Sequence, residues 1–393
     1  MRIGIYGGTF NPPHIGHIRA AERVMALLCL DKLLLIPANI SPGKKNATFA
    51  VTAQQRYEML QLSVPDDPRF EVSDMELRRE DISYTHETLH EIRALYPQAE
   101  LVLILGTDMF LSLTQWQCAK EVCAMASIAV LCRGQKGEVA AIAQQTEVLQ
   151  QRGVTVYQID NPVVAISSTD LRRMLVLGCA DAFLDPKVTA YIRENQLYGT
   201  DANLKNLPEQ ELEKQVVSLL KENRTAHVLG CRDTAVALAQ KWGADVNHAA
   251  RAALLHDITK ALDGPLQLTL CDAYGIILDN FSVHNPKTLH ALTGSLVAER
   301  IFGESPEVVA AIRSHTTGKA DMNMLEKIIY VADYMEPNRD FPGVEKLREL
   351  AFTDINEALK LGLNMTLTML NEQGKEISPE SRQALEFLEA EKG

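Results

Sequence analysis

The chain begins with a short, almost wholly apolar run, RIGIYG at 2–7, and similar runs recur as KLLLIP at 32–37, LVLILG at 101–106, SIAVLC at 127–132 and VTVYQI at 154–159. Apolar runs without alternation mark strands buried on both faces. Between several of them, apolar positions return with the spacing of a helix, over 15–29, 52–63 and 84–95. Two further helices are expected over 169–177 and 186–195. Strands alternating with helices predict an α/β fold, in which right-handed crossovers build a parallel sheet with helices on both faces.

The pattern changes after YIRENQLYG. A polar, turn-rich stretch occupies 200–208 and reads as a linker. From 209 onward period-2 alternation disappears and helical patterns dominate, as in ELEKQVVSLLKE, DTAVALAQKWG and LEKIIYVADYM, punctuated by Gly243, Gly264 and Pro306. The expectation is therefore an α/β domain over 1–199 and an all-α domain over 209–393. No internal repeat links the two halves.

Composition narrows the function classes. The 393 residues are 46% hydrophobic and 23% charged, ordinary for globular domains with sizeable cores. A net charge of -12 argues against general affinity for nucleic acid, which needs clustered Lys and Arg. The acid excess lies mostly in the second half, which is compatible with a carboxylate-using metal site there. The most apolar region, VMALLCLDKLLLIP, is broken by Asp31 and Lys32, so no membrane span is expected. The seven cysteines (Cys29, Cys118, Cys123, Cys132, Cys179, Cys231, Cys271) form no CxxC pair. They read as reduced core residues of a cytoplasmic protein with no leader peptide. The sequence leaves the oligomeric state open, a homo-oligomer included.

The first candidate chemistry lies in GGTFNPPHIGH at 7–17, between the first strand and the first helix. In open α/β sheets ligands bind beyond the carboxyl ends of the strands. Gly7 and Gly8 let backbone approach a phosphate, Thr9 offers a hydroxyl, and Asn11-Pro12-Pro13 stiffens the turn. His14 and His17 share one face of the first helical turn, beside free N–H groups and the positive end of the helix dipole. Imidazole donors there suit charge developing on a phosphoryl group in transfer.

This stretch resembles the (H/T)xGH signature of the nucleotidylyltransferase superfamily, and ISSTDLR at 166–172 resembles its ISSTxxR segment. With LLLIPANISPGKK, AQQRYEML, SYTHETL, LILGTDMFLSLTQW and VLCR in order, residues 1–199 resemble bacterial nicotinate-nucleotide adenylyltransferases. The resemblance implies a Rossmann-like fold and transfer of AMP from Mg²⁺-bound ATP to nicotinate mononucleotide. The products are deamido-NAD and pyrophosphate, by in-line attack without a side-chain nucleophile. It further implies catalytic roles for His14, His17 and Lys44. ATP contacts would come from Gly7, Gly8, Thr9, Phe10, His17, Gly106, Asp108, Ser167, Ser168, Thr169 and Arg172. Nicotinate mononucleotide would meet Lys44, Thr85, Trp116 by stacking, and Arg133. Two positions depart from the family pattern: Asn11 stands where Asp is usual, and Gly43 stands before the basic pair where His is usual. The second departure leaves the phosphate contact open between Lys44 and Lys45.

The second half carries AALLHDITK at 252–260. Adjacent His256 and Asp257 on a helix would point about 100° apart and could flank metal ions in one pocket. His227, His290, His315 and Asp333 follow the order H…HD…H…H…D, with Asp333 in a strongly apolar helix where a lone carboxylate is costly. The order resembles HD-domain metal-dependent phosphohydrolases. With HDITK, SHTTGK and ADYMEPNRDFPGVEKLR, residues from about 208 to 393 resemble the symmetrical diadenosine tetraphosphate hydrolases among them. That implies hydrolysis of diadenosine tetraphosphate to two ADP by a pair of ions, commonly iron, with Mn, Zn or Co compatible with the ligands. The metal ligands would be His227, His256, Asp257, His290, His315 and Asp333, with Asp257 bridging and acting in catalysis. Lys260 and Arg339 would meet polyphosphate, Lys260 as a catalytic cation. His248 and His284 fit no slot.

Other readings stay open at this point. The first domain could accept another mononucleotide, and the second could cut other nucleoside polyphosphates or serve as a non-catalytic nucleotide sensor.

Overall fold

A computed structural model of the chain describes residues 1–40, 51–79, 82–132, 137–161 and 166–390. The chain divides into two compact units, Met1–Asp201 and Ala202–Gly393.

In the first unit the apolar runs form a parallel six-stranded sheet in the order β3-β2-β1-β4-β5-β6. The strands are β1 (Arg2–Gly8), β2 (Lys32–Pro37), β3 (Phe70–Val72), β4 (Glu100–Gly106), β5 (Ser127–Cys132) and β6 (Val156–Asp160). Its helices are α1 (Ile15–Leu27), α2 (Ala53–Ser63), α3 (Thr85–Leu95), α4 (Thr107–Ser112), α5 (Ala119–Met125), α6 (Glu138–Gln150), α7 (Ser168–Val176) and α8 (Pro186–Glu194). The absence of alternation in the strands now has a cause. Leu101, Leu103 and Leu105 of β4 enter one core, with Leu89, Ile92 and Phe110 of α3 and α4. Val102 and Ile104 enter the other, with Ala20, Ala21 and Val24 of α1. At Gly4 the sheet meets the chain so closely that a Cβ would lie 2.5 Å from Leu30 Cδ1.

The expected strands and helices are present to within a few residues at their ends. The pattern did not show β3, three half-exposed residues on the sheet edge, nor α4 to α6, whose buried faces are short. The cysteines differ too: all seven are free, but Cys29 and Cys118 are exposed, both at positive φ in turns.

The second unit is helical throughout its described residues. It comprises α9 (Glu209–Leu219), α10 (Glu222–Trp242), α11 (Val246–Leu255), α12 (Gly264–Ala273), α13 (Asn280–His284), α14 (Leu289–Arg300), α15 (Pro306–Ser314), α16 (Met324–Met335), α17 (Val344–Ala351), α18 (Ile355–Glu372) and α19 (Pro379–Ala390). Helix α10 packs along α11 and α16, and α15 packs on α11, α14 and α16. Gly243 ends α10 with φ of 69°, a left-handed cap open to glycine. Asp245 then caps α11, accepting from the His248 amide at 2.8 Å. Among the described residues no helix is long and apolar enough to cross a membrane.

Candidate active sites

In the first unit the strand order reverses between β1 and β4, so their carboxyl ends open a crevice. The turn after β1 runs Gly8 to His14, with a cis Asn11–Pro12 bond. His14 occupies the N-cap of α1, and its amide donates to Nδ1 of His17 at 3.2 Å. A neutral His17 ring that accepts at Nδ1 carries its proton on Nε2. The two imidazoles lie close, with centroids 3.7 Å apart and planes tilted by 38°. Phe10 takes φ of 46°, strained for a bulky residue. Its ring is buried against Tyr6 and His17, leaving only its backbone to meet a ligand. A Cβ at Gly7 or Gly106 would meet open space, whereas one at Gly8 would touch the Phe10 ring at 3.1 Å.

Two arginines hold this turn. Arg172 of α7 donates to the Asn11 carbonyl at 2.8 Å and to Thr169 Oγ1 at 3.1 Å. Arg56 of α2 is fully buried and donates to the carbonyls of Thr9 at 2.6 Å, Ala38 at 2.7 Å and Asn39 at 3.2 Å. Its guanidinium thus ties the exits of β1 and β2 together. Tyr198 adds a third hold, its hydroxyl 2.6 Å from Asn11 Oδ1, and burial pushes that phenol well above its ordinary range. Ser167 caps α7, accepting from the Asp170 amide at 3.0 Å, and Ser168 Oγ lies 3.5 Å from the Pro12 carbonyl. ISSTDLR and the first turn are therefore one assembly. Asp108 is exposed in the first turn of α4, Thr85 opens α3, and Trp116 is half-buried with Nε1 donating to Ser112 Oγ at 3.1 Å. Lys44, Lys45, Gly43 and Arg133 lie outside the described residues.

In the second unit all six sequence candidates converge. His227 lies in α10, His290 near the start of α14 and Asp333 in α16. His315 follows the last residue of α15. His256 and Asp257 differ from expectation: α11 ends at Leu255, so the pair sits just past the helix rather than on it. There the Ala253 carbonyl, among the last four and without a ladder partner, accepts from His256 Nδ1 at 2.6 Å. His315 Nδ1 likewise lies 2.7 Å from the Ile312 carbonyl, and His290 Nδ1 2.8 Å from that of Lys287. With Nδ1 donating, Nε2 of each ring keeps a lone pair for a ligand.

The rings of His256, His290 and His315 are almost fully buried. Burial lowers His256 to about 3 and His315 to about 4, and lowers His290 well below its ordinary value. All three are neutral imidazoles at neutral pH, as metal binding demands. Although burial raises it, the Asp333 carboxyl is held well below the usual range, with Arg339 as the fixed cation beside it. Two groups have ligand atoms close enough to share an ion: His227, His256 and Asp333, and His256, Asp257 and His315. Neutral imidazoles with aspartates form a mixed N/O donor set that suits Fe, Mn, Zn or Co.

Cations line the same pocket. Lys260 Nζ lies 2.9 Å from His290 Nε2, and burial lowers it to about 8. Arg339 donates to Asp333 Oδ1 at 2.7 Å and to the Asp333 carbonyl at 2.9 Å, so its fork is directed at a carboxylate. Sequence reasoning missed Arg224, which pairs with Asp257, Thr316, whose hydroxyl lies 3.1 Å from His315 Nε2 and 3.2 Å from His290 Nε2, and Glu336. Arg224 stands one helical turn before His227, a spacing that could have flagged it. Glu336 lay in plain view in the MEPN stretch, but nothing local distinguishes it from a surface acid.

Comparison with known proteins gives two families. Residues 5–174 match the cytidylyltransferase-like family and residues 224–338 the HD domain family. A Thermus thermophilus protein, "Probable nicotinate-nucleotide adenylyltransferase", is 37% identical over 199 residues, 50% of this chain and 100% of its own. A Bacillus subtilis protein, "Bis(5'-nucleosyl)-tetraphosphatase, symmetrical", is 38% identical over 163 residues, 41% of this chain and 87% of its own. A solved Clostridium acetobutylicum structure, "predicted HD superfamily hydrolase involved in NAD metabolism", is 35% identical, covering 47% of this chain and 98% of its own with a TM-score of 0.46.

Proposed function

Because the chain belongs to the nicotinate-nucleotide adenylyltransferase family through its first half and to the HD-domain phosphohydrolases through its second, we propose that it is a bifunctional nucleotide enzyme. The first unit transfers AMP from ATP to nicotinate mononucleotide; the second hydrolyses diadenosine tetraphosphate to two ADP.

For the first reaction, the supporting observation is the close pair of imidazoles at the helix start, held by Arg56 and Arg172 through the backbone of their own turn. A phosphate oxygen of the mononucleotide attacks the α-phosphorus in line, and pyrophosphate leaves. His17, with its proton on Nε2, donates to the phosphoryl oxygens, and the α1 amides add positive potential. His14 supports that ring and meets the same charge. No side chain bonds to phosphorus, so catalysis is positioning and charge stabilisation. Trp116 offers a ring face for the nicotinate, and Ser167–Thr169 with Gly106 and Asp108 border the ATP.

For the second, the carrying observation is how Asp257 divides its oxygens. Its Oδ2 lies 3.7 Å from His227 Nε2 and 3.6 Å from His256 Nε2, while Oδ1 lies 3.4 Å from His290 Nε2 and 3.9 Å from His315 Nε2. One carboxylate facing two imidazole pairs is the arrangement of a bridging ligand. His227, His256 and Asp333 would complete one ion's site, and His290 and His315 the other's. Two such ions would supply Lewis-acid activation of water and of the phosphate. Around them Arg224, Lys260 and Arg339 offer positive charge to the remaining phosphates, and Thr316 offers a hydroxyl between His290 and His315.

The test is product identity. Metal-analysed protein is incubated separately with nicotinate mononucleotide plus ATP and Mg²⁺, and with diadenosine tetraphosphate. Deamido-NAD in the first and ADP alone in the second support the reading; preference for nicotinamide mononucleotide, or two bound metals with no cleavage of any dinucleotide polyphosphate, would overturn the corresponding half.

A further inference from the structure

Three of the four clustered histidines are oriented in one way and the fourth in another. His256, His290 and His315 each point Nδ1 at the carbonyl three residues earlier. The carbonyls of Ala253 and Ile312 lie in the last turns of α11 and α15, where the ladder leaves acceptors over, and that of Lys287 lies before the first residue of α14. His227 has no such option. It lies inside α10, and the Arg224 carbonyl three residues back belongs to the body of that helix, where ladder bonds consume it.

A carboxylate takes over that task. Glu336, just past the end of α16, is 1% exposed, and its Oε1 lies 3.1 Å from His227 Nδ1. Its Oε2 accepts from the Asn338 amide at 2.7 Å and from Asn338 Nδ2 at 2.8 Å. Its carbonyl accepts from Arg348 at 3.0 Å, which fixes the backbone beneath it. Opposite, Gly230 stands one turn after His227 in α10; a Cβ there would lie 2.5 Å from Glu336 Oε2. Among the described residues no Lys or Arg pairs with this carboxylate; the one ion-pair partner is His227. A buried carboxylate without a cation is expensive unless donors surround it, and here every donor but the imidazole is neutral.

We propose that Glu336 is the positioning residue for His227: it fixes the ring with its proton on Nδ1 and its Nε2 lone pair turned toward Asp333 and Asp257, and Gly230 exists in α10 to make room for it. The inference rests on the reading of this cluster as a metal centre. It adds an asymmetry: one ion's histidine is backed by a carboxylate, which makes the imidazole a stronger ligand, whereas the other ion's two histidines are backed only by peptide carbonyls.

The experiment uses full-length protein freed of metal, labelled with ¹⁵N-histidine, in wild-type, Glu336→Gln and Gly230→Ala forms. Long-range ¹H–¹⁵N spectra report each tautomer, and Mn²⁺ titration by calorimetry reports stoichiometry and affinity. In the wild type His227 is expected to carry its proton on Nδ1. Glutamine keeps the volume but must turn an NH₂ toward either His227 or the Asn338 donors. Both variants should therefore mix the His227 tautomers and weaken one Mn²⁺ equivalent by about 10–100-fold, the other changing far less. A folded Glu336→Gln protein that binds both equivalents with wild-type affinity would overturn the proposal. So would a wild-type His227 protonated on Nε2, a result that stands even if the variants do not fold. Wild type that binds no Mn²⁺ or other divalent metal would sink the metal-centre reading instead, leaving the tautomer to judge Glu336.

Discussion

The two units solve the placement of histidines in opposite ways. In the first, His14 and His17 come from eleven consecutive residues, and a strand end, a turn and a helix start deliver both. In the second, the histidines come from two helices and the ends of two others, spread over residues 227–315, and only packing brings them within reach of one aspartate. A local site depends on the shape of its own turn, so its support is directed at backbone carbonyls, from Arg56 and Arg172. A dispersed site depends on the direction of each ring, so its support is directed at Nδ1 atoms, from carbonyls and from Glu336.

That contrast can be broken most sharply at Asp257. Asp257→Ala removes the one group facing all four imidazoles; hydrolysis should fall by about 10³-fold or more and bound metal should drop. Adenylyl transfer should be unchanged, measured as deamido-NAD formed. The reciprocal change, His17→Ala, should lower adenylyl transfer by about 10²–10³-fold, the range for losing one preorganised donor, while hydrolysis persists. If either substitution damaged both activities equally, the independence of the two sites would fail.

Stripping metal sharpens the comparison without mutation. After chelation and dialysis, assays in Mg²⁺ should show full adenylyl transfer and little hydrolysis, with Mn²⁺ or Fe²⁺ restoring the latter. A smaller effect is expected from Arg56→Met, which abandons three buried carbonyls and should cost about 1–3 kcal/mol of stability, read as a lower thermal midpoint. Adenylyl transfer should fall with it because the turn loosens. The smallest is Tyr198→Phe, which deletes one hydrogen bond to Asn11 and should shift transfer by less than about tenfold; a larger loss would place that hydroxyl closer to the chemistry than its present contact implies.

Much of this was legible in residue order. GGTFNPPHIGH announced its candidate site because that site is built from neighbours, and H…HD…H…H…D announced a cluster because imidazoles interrupting apolar helices have few cheaper explanations. The supporting residues were not legible. Arg56 in AQQRYEML has the pattern of a solvated helix arginine, and its burial follows only from α2 lying against the exits of β1 and β2. Glu336 in MEPN looks like a helix-end acid until Gly230, more than a hundred residues away, opens the space it fills.

The chain by itself determined the parallel sheet, the helical second half, and which imidazoles and carboxylates are candidates for the chemistry, because burial periodicity and ligand chemistry are properties of residue type and spacing. Tertiary structure alone decided that α11 stops before His256, that the two oxygens of Asp257 face different histidine pairs, and that a mid-helix histidine is served by a carboxylate. Those outcomes depend on which hydrogen-bond acceptors remain once the helices have formed and packed, and that is settled only in the folded chain.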